Sequence, residues 1–400
     1  MRIGIDIRNI GKKRTGDEAV FLNITKELAK IDSQNEYYLF TDISDKKKLK
    51  MIEQKLELEN KSNFKIVSIL AKNKFSWNFW TLSRYIRKNP LDVYLTQYIT
   101  PWFIPKKIKI ITIIHDISFN FYPQFIKKTD LFFLKILIPL SIKRADKIIA
   151  VSYFTRNEIL KYYKVPPEKV EVVYNAVSLR NTNSYKIKNE MQETPSPTLP
   201  LEKGERVRKK YNLPEKFILY IGTFQPRKNL PLLIKAFKKL KISLNSTNIT
   251  QDLKLVLAGN KGHNYDKKID KTIEKNDLNE AVIFPGYIDE EDKLSLMAGA
   301  QIFCSPSLYE GFGISVLEAL SAGVPSVISQ IPPHQEIAEG AAEFFNPHNA
   351  QDLAKKLQKV LKDENRRNYL TSKGKEISCQ FSWQKNAKKL LSIFKTLNLK

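Results

Sequence analysis

The sequence predicts an α/β protein of two domains, each a parallel sheet with helices between its strands. Three observations carry that expectation. Short runs rich in Val, Ile and Leu alternate with segments of helical period, first before residue 180 and again after residue 209. Several runs, KIITII at Lys109–Ile114 and FILYI at Phe217–Ile221 among them, are almost continuously apolar, as strands covered on both faces must be. Between the two stretches lies a polar segment holding Pro195, Pro197 and Pro200, with no apolar period.

In chain order, residues 2–8 (RIGIDIR) read as a first strand, followed by a basic loop bounded by Gly11 and Gly16. A helix opens near Asp17, where Phe21, Ile24 and Leu28 recur at spacings of three and four. Strands are expected at 37–40, 64–69, 91–95, 109–114 and 147–151, then a helix at 153–162 and a short strand at 171–174. Residues 181–208 break the alternation and read as a linker or solvated insertion. It resumes with a strand at 217–221, a helix at 231–240 and strands at 253–258, 282–284, 302–304 and 326–328. Helices are expected at 291–298, 314–322, 350–361 and beyond Trp383. The expected domains are 1–180 and 209–380, with 381–400 a helix that returns to the first. Two such domains meeting in a cleft make a natural ligand site.

Composition narrows the function. At 42% hydrophobic and 27% charged residues, the 400-residue chain has ordinary globular values. Cys304 and Cys379 form no CxxC pair, and the four scattered histidines add no metal-site spacing. No metal is therefore expected, and a reducing, cytoplasmic location is. The N-terminal MRIGIDIRNI has no signal-peptide core, and no apolar run reaches the roughly 18–20 residues of a membrane span. The net charge of +25 is the unusual value, and it fits either a lysine-rich background or attraction to anions such as nucleotide-sugars and lipid surfaces. No basic stripe carries interleaved aromatics, so nucleic acid is not an expected partner. Residues 131–142 (LFFLKILIPLSI), bracketed by Lys127-Lys128 and Lys143-Arg144, are expected as a buried helix, with contact to an anionic membrane surface as the alternative.

Three segments could carry chemistry. In SPSLYEGFGISVLEALSAGVP, a loop with Glu310, Gly311, Phe312 and Gly313 leads into a helix opening at Ile314 and carrying Glu318. Such a helix start offers backbone N–H groups to a phosphate, and two flanking carboxylates suit hydroxyl-rich groups. In IGTFQPRKNL, Gly222 and Thr223 follow a buried strand, Arg227 and Lys228 end the loop, and Asn229 is the expected helix cap. Adjacent cations at a helix start oppose the helix dipole, so an anion is the partner they suit. His115 stands at the carboxyl end of KIITII, where ligands gather in α/β sheets. Each also has a plain structural reading: an exposed helix glutamate, a solvated basic surface, a satisfied strand-end histidine.

Glu310 and Glu318, with seven residues between them in YEGFGISVLEAL, resemble the EX7E signature of family 4 glycosyltransferases. RADKIIAVSYFTRNEIL, VVYN, LYIGTFQPRKNL, LVLAG, VIFPGY, CSPSLYEGFGISVLEALSAGVPSVIS and AAEFFNP are similar to that family's successive blocks, in order, along nearly the whole chain. GTFQPRKN together with SLYEGFG is similar to the branch of bacterial O-antigen mannosyltransferases. The resemblance implies a GT-B fold, two Rossmann-like domains facing an interdomain cleft, with the donor held mainly by the second domain and the acceptor by the first. It implies metal-independent transfer of a hexose, mannose in the best match, with retained anomeric configuration, from a GDP- or UDP-linked donor to a saccharide or lipid-linked acceptor. The nucleotide-sugar is then a substrate, and no cofactor is expected.

By position, Glu310 would meet the donor sugar and Glu318 the ribose. Gly311, Phe312, Gly313 and Ile314 would offer backbone amides, and Gly222 and Thr223 would line the donor loop. Arg227 and Lys228 would hold the diphosphate, and His115 would touch the sugar. Gly16, Asp17 and Glu18 would form the acceptor or phosphate loop. Three departures stand out: Thr223 where many members have arginine, RTGDEAVF in place of a glycine-paired loop, and the insertion at 181–208. Two alternatives remain open at this stage: another GT-B reaction, epimerisation or phosphorolysis, and a catalytically silent scaffold.

Overall fold

The structure is a computed structural model that describes residues 1–11, 16–177, 201–244, 252–262 and 264–398. The chain divides into two compact units, the first of residues 1–123, 128–178 and 381–400, the second of residues 124–127 and 179–380.

The first unit is built on seven strands: β1 (Arg2–Asp6), β2 (Glu36–Thr41), β3 (Phe64–Ser68), β4 (Val93–Gln97), β5 (Lys109–Ile114), β6 (Lys147–Ala150) and β7 (Val170–Val172). They lie in the order β3-β2-β1-β4-β5-β6-β7 and every pair is parallel. Parallel neighbours require crossover segments, which is why a helix stands between most successive strands. β5 is buried from Ile110 to Ile114, consistent with its unbroken β-branched run. Strand β4 starts at Val93, two residues beyond the expected Leu91, and the Asp92 carboxylate just before it accepts the backbone N–H of Arg2 at 2.7 Å. The Trp383–Asn398 helix packs in this unit against the Gly16–Ile31 helix, burying Trp383, Ala387, Leu390 and Phe394.

The second unit has six strands: β8 (Phe217–Ile221), β9 (Lys254–Ala258), β10 (Val282–Gly286), β11 (Ile302–Ser305), β12 (Ser326–Ser329) and β13 (Glu343–Phe345). Their order, β10-β9-β8-β11-β12-β13, repeats that of the first unit's β3 through β6, again all parallel. In both sheets the strand order reverses beside the first strand, between β1 and β4 and between β8 and β11. In open α/β sheets that reversal leaves a crevice beyond the carboxyl ends of the two strands.

Two expectations are corrected. The Leu201–Lys210 helix occupies the end of the segment read as a linker, while 181–200 lie outside the described residues. Val207 is buried and Lys210 pairs with Asp289 at 2.7 Å and Asp292 at 2.6 Å, so tertiary ion pairs hold a helix that shows almost no apolar period. The apolar run 131–142 lies in the Lys128–Arg144 helix but is buried on one face only. Leu137, Ile138 and Ile142 turn inward, whereas Phe132, Phe133, Ile136 and Leu140 are exposed. Among the described residues, no helix is long and apolar enough to cross a membrane.

Candidate functional site

The second unit brings two of the three sequence segments together. The loop after β8 and the loop after β11 flank the strand-order reversal, and the backbone N–H of Leu308 donates to the Arg227 carbonyl at 2.8 Å. Gly222 belongs to this arrangement by close approach. A Cβ placed on Gly259, at the end of β9, would lie 2.0 Å from the Gly222 carbonyl oxygen, so only glycine fits there. Tyr220 then donates its hydroxyl to the Thr223 carbonyl at 2.8 Å and fixes the turn, leaving the Thr223 side chain exposed.

Arg227 and Lys228 both converge on Glu310. The Arg227 guanidinium donates to Glu310 Oε2 at 3.0 Å and to the Tyr309 carbonyl at 3.1 Å. Lys228 Nζ donates to Glu310 Oε1 at 2.5 Å, and the Ser307 hydroxyl donates to the same oxygen at 2.7 Å. Glu310 is only 8% exposed. Burial by itself would push its carboxyl up; Lys228 and then Arg227 outweigh burial and hold it far below the usual carboxylate range. A solvated basic surface is therefore not what these cations form. Asn229, expected as the cap of the following helix, instead sits at φ +58° and donates its side-chain amide to the Pro347 carbonyl at 2.9 Å.

Gly311 and Phe312 are buried, and Gly313 opens the Ile314–Ala322 helix at φ +103° without a capping side chain. As at any helix start, the first backbone N–H groups, those of Ile314 and Ser315, face out of the helix end, the arrangement that receives anions, while the Val316 N–H bonds the Gly313 carbonyl at 3.0 Å. Glu318, on the second turn, is buried rather than exposed, and it accepts from Lys293 Nζ at 2.6 Å. Lys293 also pairs with Glu290 at 3.0 Å.

His334 lies behind this loop and escaped the sequence reading. Its ring meets the position a Cβ on Gly313 would take, Cδ2 at 3.2 Å. Nδ1 is 3.0 Å from the Ser329 carbonyl, which can only accept, so Nδ1 carries the proton and Nε2 presents a lone pair. Burial pushes this imidazole down to about 4, Glu310 acting in the opposite direction, so it is neutral at pH 7. Ser307, Lys293 and His334 are additions that only tertiary placement reveals. Their sequence signals were slight: a serine inside SPSLYEGFG, a lysine after four acids, a histidine in PPHQEI.

The first unit holds the third segment. His115, buried at the end of β5, has Nε2 2.9 Å from Gln97 Oε1 and 3.7 Å from Asp17 Oδ1, with the Tyr98 ring centroid 5.5 Å away. Gly16 begins its helix at the surface. Glu18 departs from the expected ligand loop: it turns inward, only 4% exposed, and accepts the Gly11 N–H at 3.1 Å. It holds the loop's near end in place, and residues 12–15 of that loop lie outside the described residues.

Comparison with known proteins identifies the family of both halves of the chain. Residues 15–181 match the model described as Glycosyltransferase Family 4, and residues 203–377 match Glycosyl transferases group 1. The chain is 26% identical over 404 residues to the O-antigen chain mannosyltransferase B of Escherichia coli, covering 96% of each chain. It is 24% identical to the O-antigen chain mannosyltransferase RfbU of Salmonella typhimurium, across 89% of this chain and 90% of that one. Among solved structures it is similar to the sucrose-phosphate synthase of Thermosynechococcus elongatus, with a TM-score of 0.73, 17% identity and 99% coverage of both chains, a likeness of fold.

Proposed function

We propose, from the premise that this chain belongs to the family 4 glycosyltransferases, that it moves mannose from a GDP- or UDP-linked donor to a saccharide or lipid-linked acceptor in surface polysaccharide synthesis. The sugar and the pathway rest on the two O-antigen mannosyltransferases that match along nearly the whole chain. The observation that carries the reading is the convergence of Arg227, Lys228 and Glu310 at an uncapped helix start.

In this reading the two cations and the amides around Gly313 take the donor diphosphate, whose negative charge grows as the glycosidic bond breaks. Glu310 and Glu318 accept hydrogen bonds from sugar and ribose hydroxyls, and His115 meets a sugar hydroxyl. The departing phosphate oxygen receives the acceptor proton on the same face of the sugar, so configuration is retained without an enzyme nucleophile or a metal ion. Incubating the protein with GDP-mannose or UDP-hexoses and a panel of acceptors, while following nucleotide release and the product anomer by NMR, tests this directly. An inverted product, or no transfer to any acceptor, would overturn it. Transfer rates unchanged within about twofold in excess EDTA are expected, because the cations replace a metal's role at the leaving group. The relatives described are both transferases, so epimerisation, phosphorolysis and a silent scaffold have no comparable support.

A peripheral membrane contact completes the proposal. Phe132, Ile136 and Leu140 are exposed at helical spacing, the Phe133 ring lies tilted against Phe75 with centroids 4.9 Å apart, and Lys127, Lys128, Lys135 and Lys143, flanking and interrupting them in sequence, are exposed too. An apolar stripe with basic flanks is the composition that settles on anionic lipid, where a lipid-linked acceptor would reside.

A further inference from the structure

The two cations offered to the donor diphosphate are already occupied. Arg227 and Lys228 each hold one oxygen of Glu310, and the same carboxylate is the group offered to the sugar. A buried carboxylate that loses both cations keeps, among the described residues, a single neutral side-chain donor, the Ser307 hydroxyl, and such a loss is costly where water is excluded. The loops around it need not move for the partners to change: the bond from the Leu308 N–H to the Arg227 carbonyl joins them through backbone alone, so side-chain rotation is sufficient.

We infer that Glu310 is an internal stand-in for the donor's diphosphate and thereby a specificity-determining residue that favours sugar-bearing nucleotides over bare ones. The inference rests on the nucleotide-sugar reading above. A complete donor exchanges partners evenly: its diphosphate takes the cations, and its sugar hydroxyls donate to the carboxylate that has been released. A nucleoside diphosphate without a sugar takes the cations and leaves the carboxylate buried with Ser307 alone. The same asymmetry acts after transfer, when the sugar has gone and Glu310 reclaims Arg227 and Lys228 from the spent nucleotide. Product release is built into the ion pair.

The consequence runs against the usual effect of deleting a site residue. Glu310→Gln keeps the shape of the side chain but cannot hold two cations, so bare GDP and UDP should bind more tightly than to the wild type, by about tenfold or more, the scale of a charge-assisted hydrogen bond. Calorimetry on the full-length protein with GDP, UDP, GDP-mannose and UDP-glucose supplies the test. Wild type should prefer the sugar-bearing form of its base, E310Q should prefer the bare nucleotide, and turnover should fall in E310Q. Bare nucleotide binding that is unchanged or weaker in E310Q, with nucleotide-sugar still bound by wild type, overturns the inference and leaves the donor reading standing. Wild type that binds none of the four overturns both. If E310Q does not give a cooperative melt, Glu310→Asp, one methylene too short to reach both cations, should show the same inversion, and its absence there counts equally against the inference.

Discussion

The two units share a strand order but place different chemistry at the point where that order reverses. In the second unit the loops after β8 and β11 carry Arg227, Lys228 and Glu310, and the helix that follows carries Glu318, all buried or nearly so, each charge facing an opposite charge. In the first unit the corresponding end of the sheet carries His115, Gln97, Tyr98 and Asp17, with Glu18 already committed to a backbone N–H. Their surfaces differ in the same sense. The first unit exposes Leu70, Trp80, Phe103, Phe121, Phe132, Phe133, Ile136 and Leu140, the second mainly Ile242, Phe284, Tyr287 and Tyr369. One frame has been fitted with fixed charge, suited to an anion held tightly. The other has hydrogen-bonding groups and exposed apolar side chains, the features on which the proposed acceptor and membrane contacts draw.

That contrast can be broken at several points. The largest effect belongs to Arg227→Ala, which should lower kcat/KM by about 100-fold to 1,000-fold, the range seen when a preorganised donor to a developing anion is removed. A loss below tenfold would mean that the second unit's charge is structural. Next comes a stability effect at His334. Its folded value lies below the ordinary histidine value, so the unfolded chain takes up a proton first and stability falls as pH drops from about 6.5 to about 4, by at most about 3 kcal/mol. Below about 4 this contribution has been lost in full. Urea midpoints across that pH range should show the slope in wild type and lose much of it in His334→Leu. Glu318→Ala should cost about 1.5–3 kcal/mol in donor binding, read as a raised KM for donor with a smaller change in kcat, because the ribose contact proposed for it would be held equally in ground and transition states. The smallest effect belongs to the other unit. Replacing Phe132 and Ile136 by serine should weaken sedimentation with anionic vesicles by about tenfold, while transfer to a soluble acceptor stays unchanged. Equal vesicle binding by the double variant would remove the lipid side of the contrast.

The fold was legible where hydrophobic period was strong. β5 and β8 were visible as unbroken apolar runs, and the Ile314–Ala322 helix as a segment opened by glycine and closed by Gly323 at φ +72°. β13 was not visible, because it is three residues long and begins with Glu343. That carboxylate is buried only because Lys359 and Arg366 arrive from later helices, at 3.0 and 2.7 Å, to hold it below its ordinary range against the burial that pushes it up. The Leu201–Lys210 helix was hidden for the same reason, its partners Asp289 and Asp292 lying some eighty residues away. Sequence spacing named Arg227, Lys228, Glu310 and Glu318, since charges beside glycine loops are unusual there. It had no means of assigning Glu310 to the cations and Glu318 to Lys293, because a pairing is fixed by where loops end in space. The half-exposed Lys128–Arg144 helix misled for a related reason: an all-round apolar run states what a helix is made of, and only its neighbours decide which face is covered.

The Trp383–Asn398 helix sets an order of events in synthesis. Ala387, Leu390 and Phe394 are buried within the first unit, whose other residues are 1–123 and 128–178, and Asn386 donates its amide to the Tyr174 carbonyl, yet these residues are translated after some two hundred residues of the other unit. The unit that emerges from the ribosome first is therefore the one whose hydrophobic surface is closed last. Until then the apolar face of the Gly16–Ile31 helix waits uncovered, and a nascent chain stalled before residue 383 should depend on chaperones at its older half rather than its newer one.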